Sequence, residues 1–335
     1  MCRPPRHPGG YPSPTPAITG GVASASYRLS EQVQDDVSDY AARLSPMIPL
    51  LALLLAAATP PAPAPAPTLA KPALWQVKDA DTTIYLFGTV HVLPEGERWF
   101  EGRIKAAFDT ADALVIETVA PPPAEAAQAM MARAIDPAGR SLTAIVGPDS
   151  AGKLGKALAA EGRAPDMLDR FEPWYAATLL TFLALDRMGI KAGSGVEPQL
   201  QAAAGSAGKP VEGLEGFDAQ LALLDGLSPA DQKMMLDEAV EELARADTKL
   251  RPMIAAWESG DAPTLARLMN EGLKDAPHIR RLLLDDRNAR FADWIAQRMA
   301  APGTVFVAVG AGHLGGDASV QVWLARKGLK AERLQ

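Results

Sequence analysis

Two apolar runs of strand length, Thr83–Phe87 and Val305–Val309, each lead into a glycine with a histidine three residues later, Gly88–His91 and Gly310–His313. Short runs rich in β-branched and aromatic residues and closed by glycine predict buried strands. Residues 103–112 carry helical spacing and lead into a further strand, Ala113–Ile116. Residues 123–187 are helical, with breaks at Asp136–Gly139, Gly147–Pro148 and Glu172–Pro173. A short strand within "KPVEGLEG" ends near Glu215. Ser228–Pro229, a capping serine followed by proline in the first turn, starts a helix that runs to the region of Asp247. Gly260–Pro263 separates two more helices, and residues 279–300 form a long amphipathic one with Leu284, Asn288, Ala292, Ile295 and Met299 along one side. Residues 318–329 form the last helix. Strands at both ends with helices between them predict an α/β fold, with a mostly parallel central sheet and a helix-rich insertion, closed by the C-terminal βα unit.

The pattern excludes the beginning of the chain from that fold. Residues 1–46 are rich in Pro, Gly, Ser and Ala without apolar periodicity, and constitute an extension or precede the true start. Residues 47–69 hold the apolar run Ile48–Ala58, followed by small residues and a Pro-Ala repeat. Ile48–Ala58 is too short to span a bilayer but matches the core of a secretory signal, and the repeat matches an extended linker. Export to the periplasm or the outside of the cell is the expectation, with a single domain over residues 70–335 and no transmembrane span after signal removal. The net charge is −7 and no long basic run exists, so nucleic acid is not an expected partner. Cys2 is the only cysteine, which excludes a disulfide framework and a cysteine nucleophile in the domain.

Candidate chemistry collects at strand ends, where open α/β sheets bind their ligands. His91, Glu117, Glu215 and His313 each follow a predicted strand. Gly88, Gly310 and Gly312 permit sharp turns and close approach there. Imidazoles and carboxylates suit a divalent ion that keeps a position open for water, with a second carboxylate to take the proton. His91 and His313 lie far apart in sequence, so only the fold can unite them. Single residues have plainer readings: a hydrogen-bonded loop histidine, a helix cap at Glu215, a solvated face for Arg287 and Asn288, an ordinary helix start at His278. The duplicated context favours metal or catalysis for the pair. Gly147–Lys153 has the spacing of a phosphate-binding loop, but Leu154 stands where Ser or Thr is required. No GxSxG elbow is present.

"YLFGTVHVLP", "ALVIET", "VEGLEGFDAQL", "LLDDRNARFADWI" and "VFVAVGAGHLGG", in that order, resemble the TraB/PrgY/GumN family, which includes the Tiki metalloproteases. The resemblance covers about residues 73–335. It implies a fold of the erythromycin-esterase and ChaN-like group and a divalent-metal-dependent hydrolase, with manganese or cobalt favoured and zinc possible. The family's GxxH motifs correspond to Gly88–His91 and Gly310–His313, its glutamate to Glu117 and its Arg-Asn pair to Arg287 and Asn288. His91, His313 and Glu117 are then the expected metal ligands. Glu117, Glu215 and Arg287 are the expected catalytic groups, Arg287 steadying a developing oxyanion. Glu197 stands where many relatives carry aspartate. The expected activity is cleavage of a peptide. Two rivals remain: a protein that sequesters a peptide, haem or metal without turnover, and a metal-assisted esterase.

Overall fold

A computed structural model describes residues 69–335 except 192 and 275. The predicted extension, signal-like run and linker lie outside these residues. Six strands form one sheet: β1 (Leu74–Lys78), β2 (Thr82–Thr89), β3 (Ala113–Thr118), β4 (Val211–Glu215), β5 (Gly303–Gly310) and β6 (Glu332–Arg333), in the order β4-β3-β5-β2-β1-β6. β4, β3, β5 and β2 are mutually parallel, whereas β1 runs antiparallel to both β2 and β6. The sheet is therefore mostly parallel with an antiparallel margin. β1 and β6 were not predicted: one is a five-residue strand beside the proline-rich segment and the other has only two residues.

Alternation along the strands builds two apolar faces. Phe87, Leu114, Phe306 and Ala308 pack with Trp99, Phe108 and Trp257 on one side. Ile84, Leu86, Val305, Val307 and Val309 pack with Phe291, Ile295 and Leu324 on the other. The first face is covered by α1 (Gly102–Thr110), α5 (Val196–Ser206) and α8 (Ala246–Glu258), and the second by α11 (Asp286–Arg298) and α12 (Val320–Arg326). Between β3 and β4 lie α2 (Pro123–Ala134), α3 (Leu142–Ala160) and α4 (Pro173–Arg187). β4 is followed by α6 (Phe217–Asp225) and α7 (Pro229–Leu243). α3, α4 and α7 share a separate core that includes Leu154, Leu158, Leu180 and Leu236.

Local chemistry explains most boundaries. Ser228 caps α7 by accepting the Asp231 N–H, and Asp261 caps α9 (Ala262–Met269) by accepting the Thr264 N–H. The predicted break at Gly147–Pro148 is a kink inside α3, where Gly147 has φ 80°. Gly152 and Lys153 lie in that helix with no strand before it, which removes the phosphate-loop geometry. The helix from Ser228 ends at Leu243 rather than near Asp247, and α8 restarts at Ala246. The long helix predicted over 279–300 is α10 (Pro277–Arg280), a π-helical turn (Arg281–Asp285) and then α11. The extra residue in the π turn re-aims the side chains that follow it, Arg287 and Asn288 among them.

Candidate active site

The sheet order explains how histidines so distant in sequence come together. β2 and β5 are neighbouring parallel strands with Thr89 opposite Gly310, so both GxxH segments leave the same edge of the sheet side by side. β3 flanks β5 on its other side, with Ile116 opposite Ala308, and carries Glu117 to that edge. β4 pairs β3 with Glu215 opposite Thr118. The carboxyl ends of four adjacent parallel strands thus present His91, His313, Glu117 and Glu215.

Arg287 is the centre of this arrangement. Its Nε donates to Glu215 (2.9 Å to Oε2), its two terminal nitrogens donate to Glu117 Oε2 (2.6 Å), the Leu283 carbonyl (3.2 Å) and His313 Nε2 (3.1 Å), and Glu215 Oε2 also lies 2.8 Å from Nη2 as an ion pair. Each of its three nitrogens is thus engaged by the protein. Steadying an oxyanion therefore requires Arg287 to exchange a partner. Arg290 also donates to Glu215, at 2.9 Å. The Glu117 carboxylate accepts the Gly310 N–H at 2.6 Å, and a Cβ on Gly310 would sit 3.0 Å from the same oxygen. Gln220, on α6, reaches Glu117 Oε2 at 3.4 Å. Burial pushes the Glu117 carboxyl up, but His313, Arg287 and the Gly310 N–H outweigh it and hold the group at about 2. Burial likewise pulls Arg287 down, and Glu117 with Glu215 reverses that, so the guanidinium stays charged.

His313 is fixed as one tautomer. Asn288, fully buried on α11, donates through Nδ2 to the Ala318 carbonyl (2.8 Å), which turns its Oδ1 toward His313 Nδ1 (2.6 Å). Nδ1 therefore carries the hydrogen, and the Nε2 lone pair faces Arg287 and Glu117, the latter at 3.5 Å. Burial, the largest influence, lowers the imidazole to about 4, so it is neutral at neutral pH.

His91 behaves in the opposite way. Its ring is 77% exposed and its Nδ1 pairs with Glu197 Oε1 at 2.8 Å. The hydrogen bond to Glu197, more than any other influence, raises the imidazole to about 9. Glu197, in the first turn of α5, also accepts the Thr89 hydroxyl hydrogen at 2.6 Å. Gly195 allows this approach: a Cβ there would overlap the His91 carbonyl oxygen, and the Val196 N–H donates to the Val90 carbonyl at 3.0 Å. Sequence reading missed Gly195 and Thr89. The glycine-serine-glycine run before a helix was the available signal.

The structure thus brings Glu117, Glu215, Arg287, Asn288 and His313 into one network, with His91 at its exposed margin paired to Glu197 instead. Among the described residues, no three or more His, Cys, Asp or Glu side chains stand together so as to hold a metal ion. The glycines support the backbone. The Gly88 carbonyl accepts the Trp257 indole N–H at 2.8 Å, and a Cβ on Gly88 would press on Ala311 at 3.1 Å. Gly312 approaches Asn270, whose amide donates to its carbonyl at 3.4 Å. His278 stands apart, at the start of α10, where it meets Asp231 at 2.7 Å.

The protein called uncharacterized protein YbaP from Escherichia coli (strain K12) is 26% identical over 254 residues, which is 74% of this chain and 90% of that protein. The protein of the same name from Shigella flexneri is 26% identical over 241 residues, covering 70% and 85% of the two chains. No solved structure matches. The family model for the TraB/PrgY/gumN family matches residues 73–333, from β1 to β6 and through both GxxH segments, and the chain belongs to that family.

Proposed function

We propose that this chain is a divalent-metal-dependent hydrolase that cleaves peptides outside the cytoplasm. The observation that carries the reading is His313: a buried, neutral imidazole whose Nδ1–H is held by Asn288, leaving Nε2 beside the ionised Glu117. A second residue that fixes the tautomer and orientation of a histidine is the usual support of a metal ligand. The donor chemistry fits a divalent ion, with His313, Glu117 and His91 as the residues that would hold it. Holding it requires Arg287 to release His313 Nε2, and His91 to lose a proton while Nδ1–H stays on Glu197. A bound ion would polarise the substrate carbonyl and acidify water. Glu117 and Glu215 are the carboxylates at this edge, and Arg287 pairs with both. The likeness to the erythromycin-esterase and ChaN-like folds belongs to the same proposal, supported by the family. Export is supported by the apolar run Ile48–Ala58, and no helix among the described residues is long and apolar enough to cross a membrane.

The test uses the full chain, stripped with chelator and titrated with manganese, cobalt and zinc beside a His91→Ala/His313→Ala variant. One-to-one binding lost in the variant, followed by cleavage in a peptide library, is expected. Equal weak binding by both proteins would sink the reading.

A second reading has its own observation. His91, backed by Glu197 and Thr89 and open to solvent, is a histidine–carboxylate pair that can carry protons in ester hydrolysis without a metal. Ester turnover that resists chelator and disappears in Glu197→Gln would select it.

A further inference from the structure

The loop after His313 has a second side. Gly315, Gly316, Asp317 and Ala318 line a cleft of about 170 Å³ against α9 and the segment leading to α10, and the other walls carry Arg267, Asn270, Lys274 and Arg280. The loop is seated by close packing, since a Cβ on Gly315 would overlap Ala266, and Gly316 turns it at φ 87°. Three cationic side chains face one carboxylate in this lining, although the whole chain is acidic. Arg280 is paired with Asp285 and with Asp317. Arg267 and Lys274 have no ion-pair partner among the described residues, and both are exposed. Asp317, 81% exposed, already places a carboxylate on Arg280. The cleft is smaller than the roughly 300–1,000 Å³ typical of whole drug-sized ligands, so it suits an ion or the end of a larger molecule.

We propose that this cleft binds an oxyanion group, a carboxylate or a phosphate, between Arg267, Lys274 and Arg280. Guanidinium and ammonium groups make their strongest hydrogen bonds to such groups, and converging cations raise the local concentration of anions. The proposal needs no hydrolytic activity. A ligand seated there would lie against Ala318, whose carbonyl orients Asn288.

Calorimetric titration of the full chain tests it with three probes: inorganic phosphate, N-acetyl-dialanine with a free carboxylate, and the amide of that dipeptide. Saturable one-to-one binding of phosphate or of the free carboxylate is expected, with none for the amide. The tighter of the two identifies the source, a peptide terminus or a phosphate. Arg267→Ala/Lys274→Ala should weaken binding by roughly tenfold or more, since both changes remove charge-assisted hydrogen bonds. Asp317→Asn should tighten it by freeing Arg280, a gain that misfolding cannot imitate. Unaltered binding in the double variant, equal binding of the amide, weaker binding in Asp317→Asn, or no saturable binding of either anion would overturn the proposal.

Discussion

Replacing Arg287 by leucine tests the electrostatic core of the site. Arg287 touches two carboxylates whose side chains are 13% and 8% exposed, and it is itself 9% exposed. Removing one member of a buried ion pair typically costs about 3–5 kcal/mol, because a charge remains without its counter-ion. Two residual contacts argue for the lower end. Glu215 keeps Arg290, and Glu117 keeps the Gly310 N–H. A loss of about 3 kcal/mol is therefore expected at pH 7.5, measured by urea unfolding of chelator-treated protein. Its pH dependence is the sharper signature. In the parent, Glu117 titrates at about 2 in the folded state, below its ordinary value. Its contribution is present above the unfolded carboxyl pKa and is lost as pH falls toward 2. In the variant the folded pKa of Glu117 rises, because one of the groups that hold it down is gone while His313 and the Gly310 N–H remain. The deficit of Arg287→Leu should then shrink as pH falls from 7.5 through the carboxylate range, and Arg287→Leu/Glu117→Gln should recover part of it. A deficit below about 1 kcal/mol, or one that does not change with pH, would refute the claim that Arg287 serves as a buried counter-ion.

Two further outcomes follow from the geometry. Gly195→Ala places a methyl on the His91 carbonyl at an ordinary φ of −73°, so the damage is overlap rather than backbone strain. A loss of about 1–3 kcal/mol in chemical unfolding is expected, with displacement of the His91 ring signals in NMR; unchanged signals would count against the close approach. Arg140 donates to the Asp136 carboxylate at 2.7 Å and, as the leading influence, holds it at about 2. That turn is supported above the ordinary aspartate range and loses its support as pH falls toward 2, so Arg140→Ala should raise the NMR titration midpoint of Asp136. An unmoved midpoint would show that backbone N–H groups alone set it.

Some of this was legible in the sequence for a plain reason. The GxxH segments follow strands whose composition marks them, and a parallel α/β sheet has only one edge where such segments can project. Glu117 and Glu215 were legible on the same ground. Arg287 and Asn288 were expected at the site from the family's Arg-Asn pair, but the side chains they meet were not legible. The π turn leaves no mark in the spacing of residues 281–285, and that turn sets where both side chains point. The pairing of His91 with Glu197 was also hidden, because it depends on Gly195 passing against the His91 carbonyl, a contact between segments about a hundred residues apart. β6 is too short for any pattern to announce it.

The position of β5 has a consequence for how the chain is made. β5 lies between β2 and β3, so those two strands have no contact across the sheet until residues 303–310 arrive. At synthesis rates of about 5–20 residues per second, residues 119–302 delay that arrival by roughly 10–40 s. Throughout that interval a nascent chain has His91 and Glu117 but not His313. A chain truncated before residue 303 never assembles the site. The last of the parallel strands to leave the ribosome is the one that completes the network.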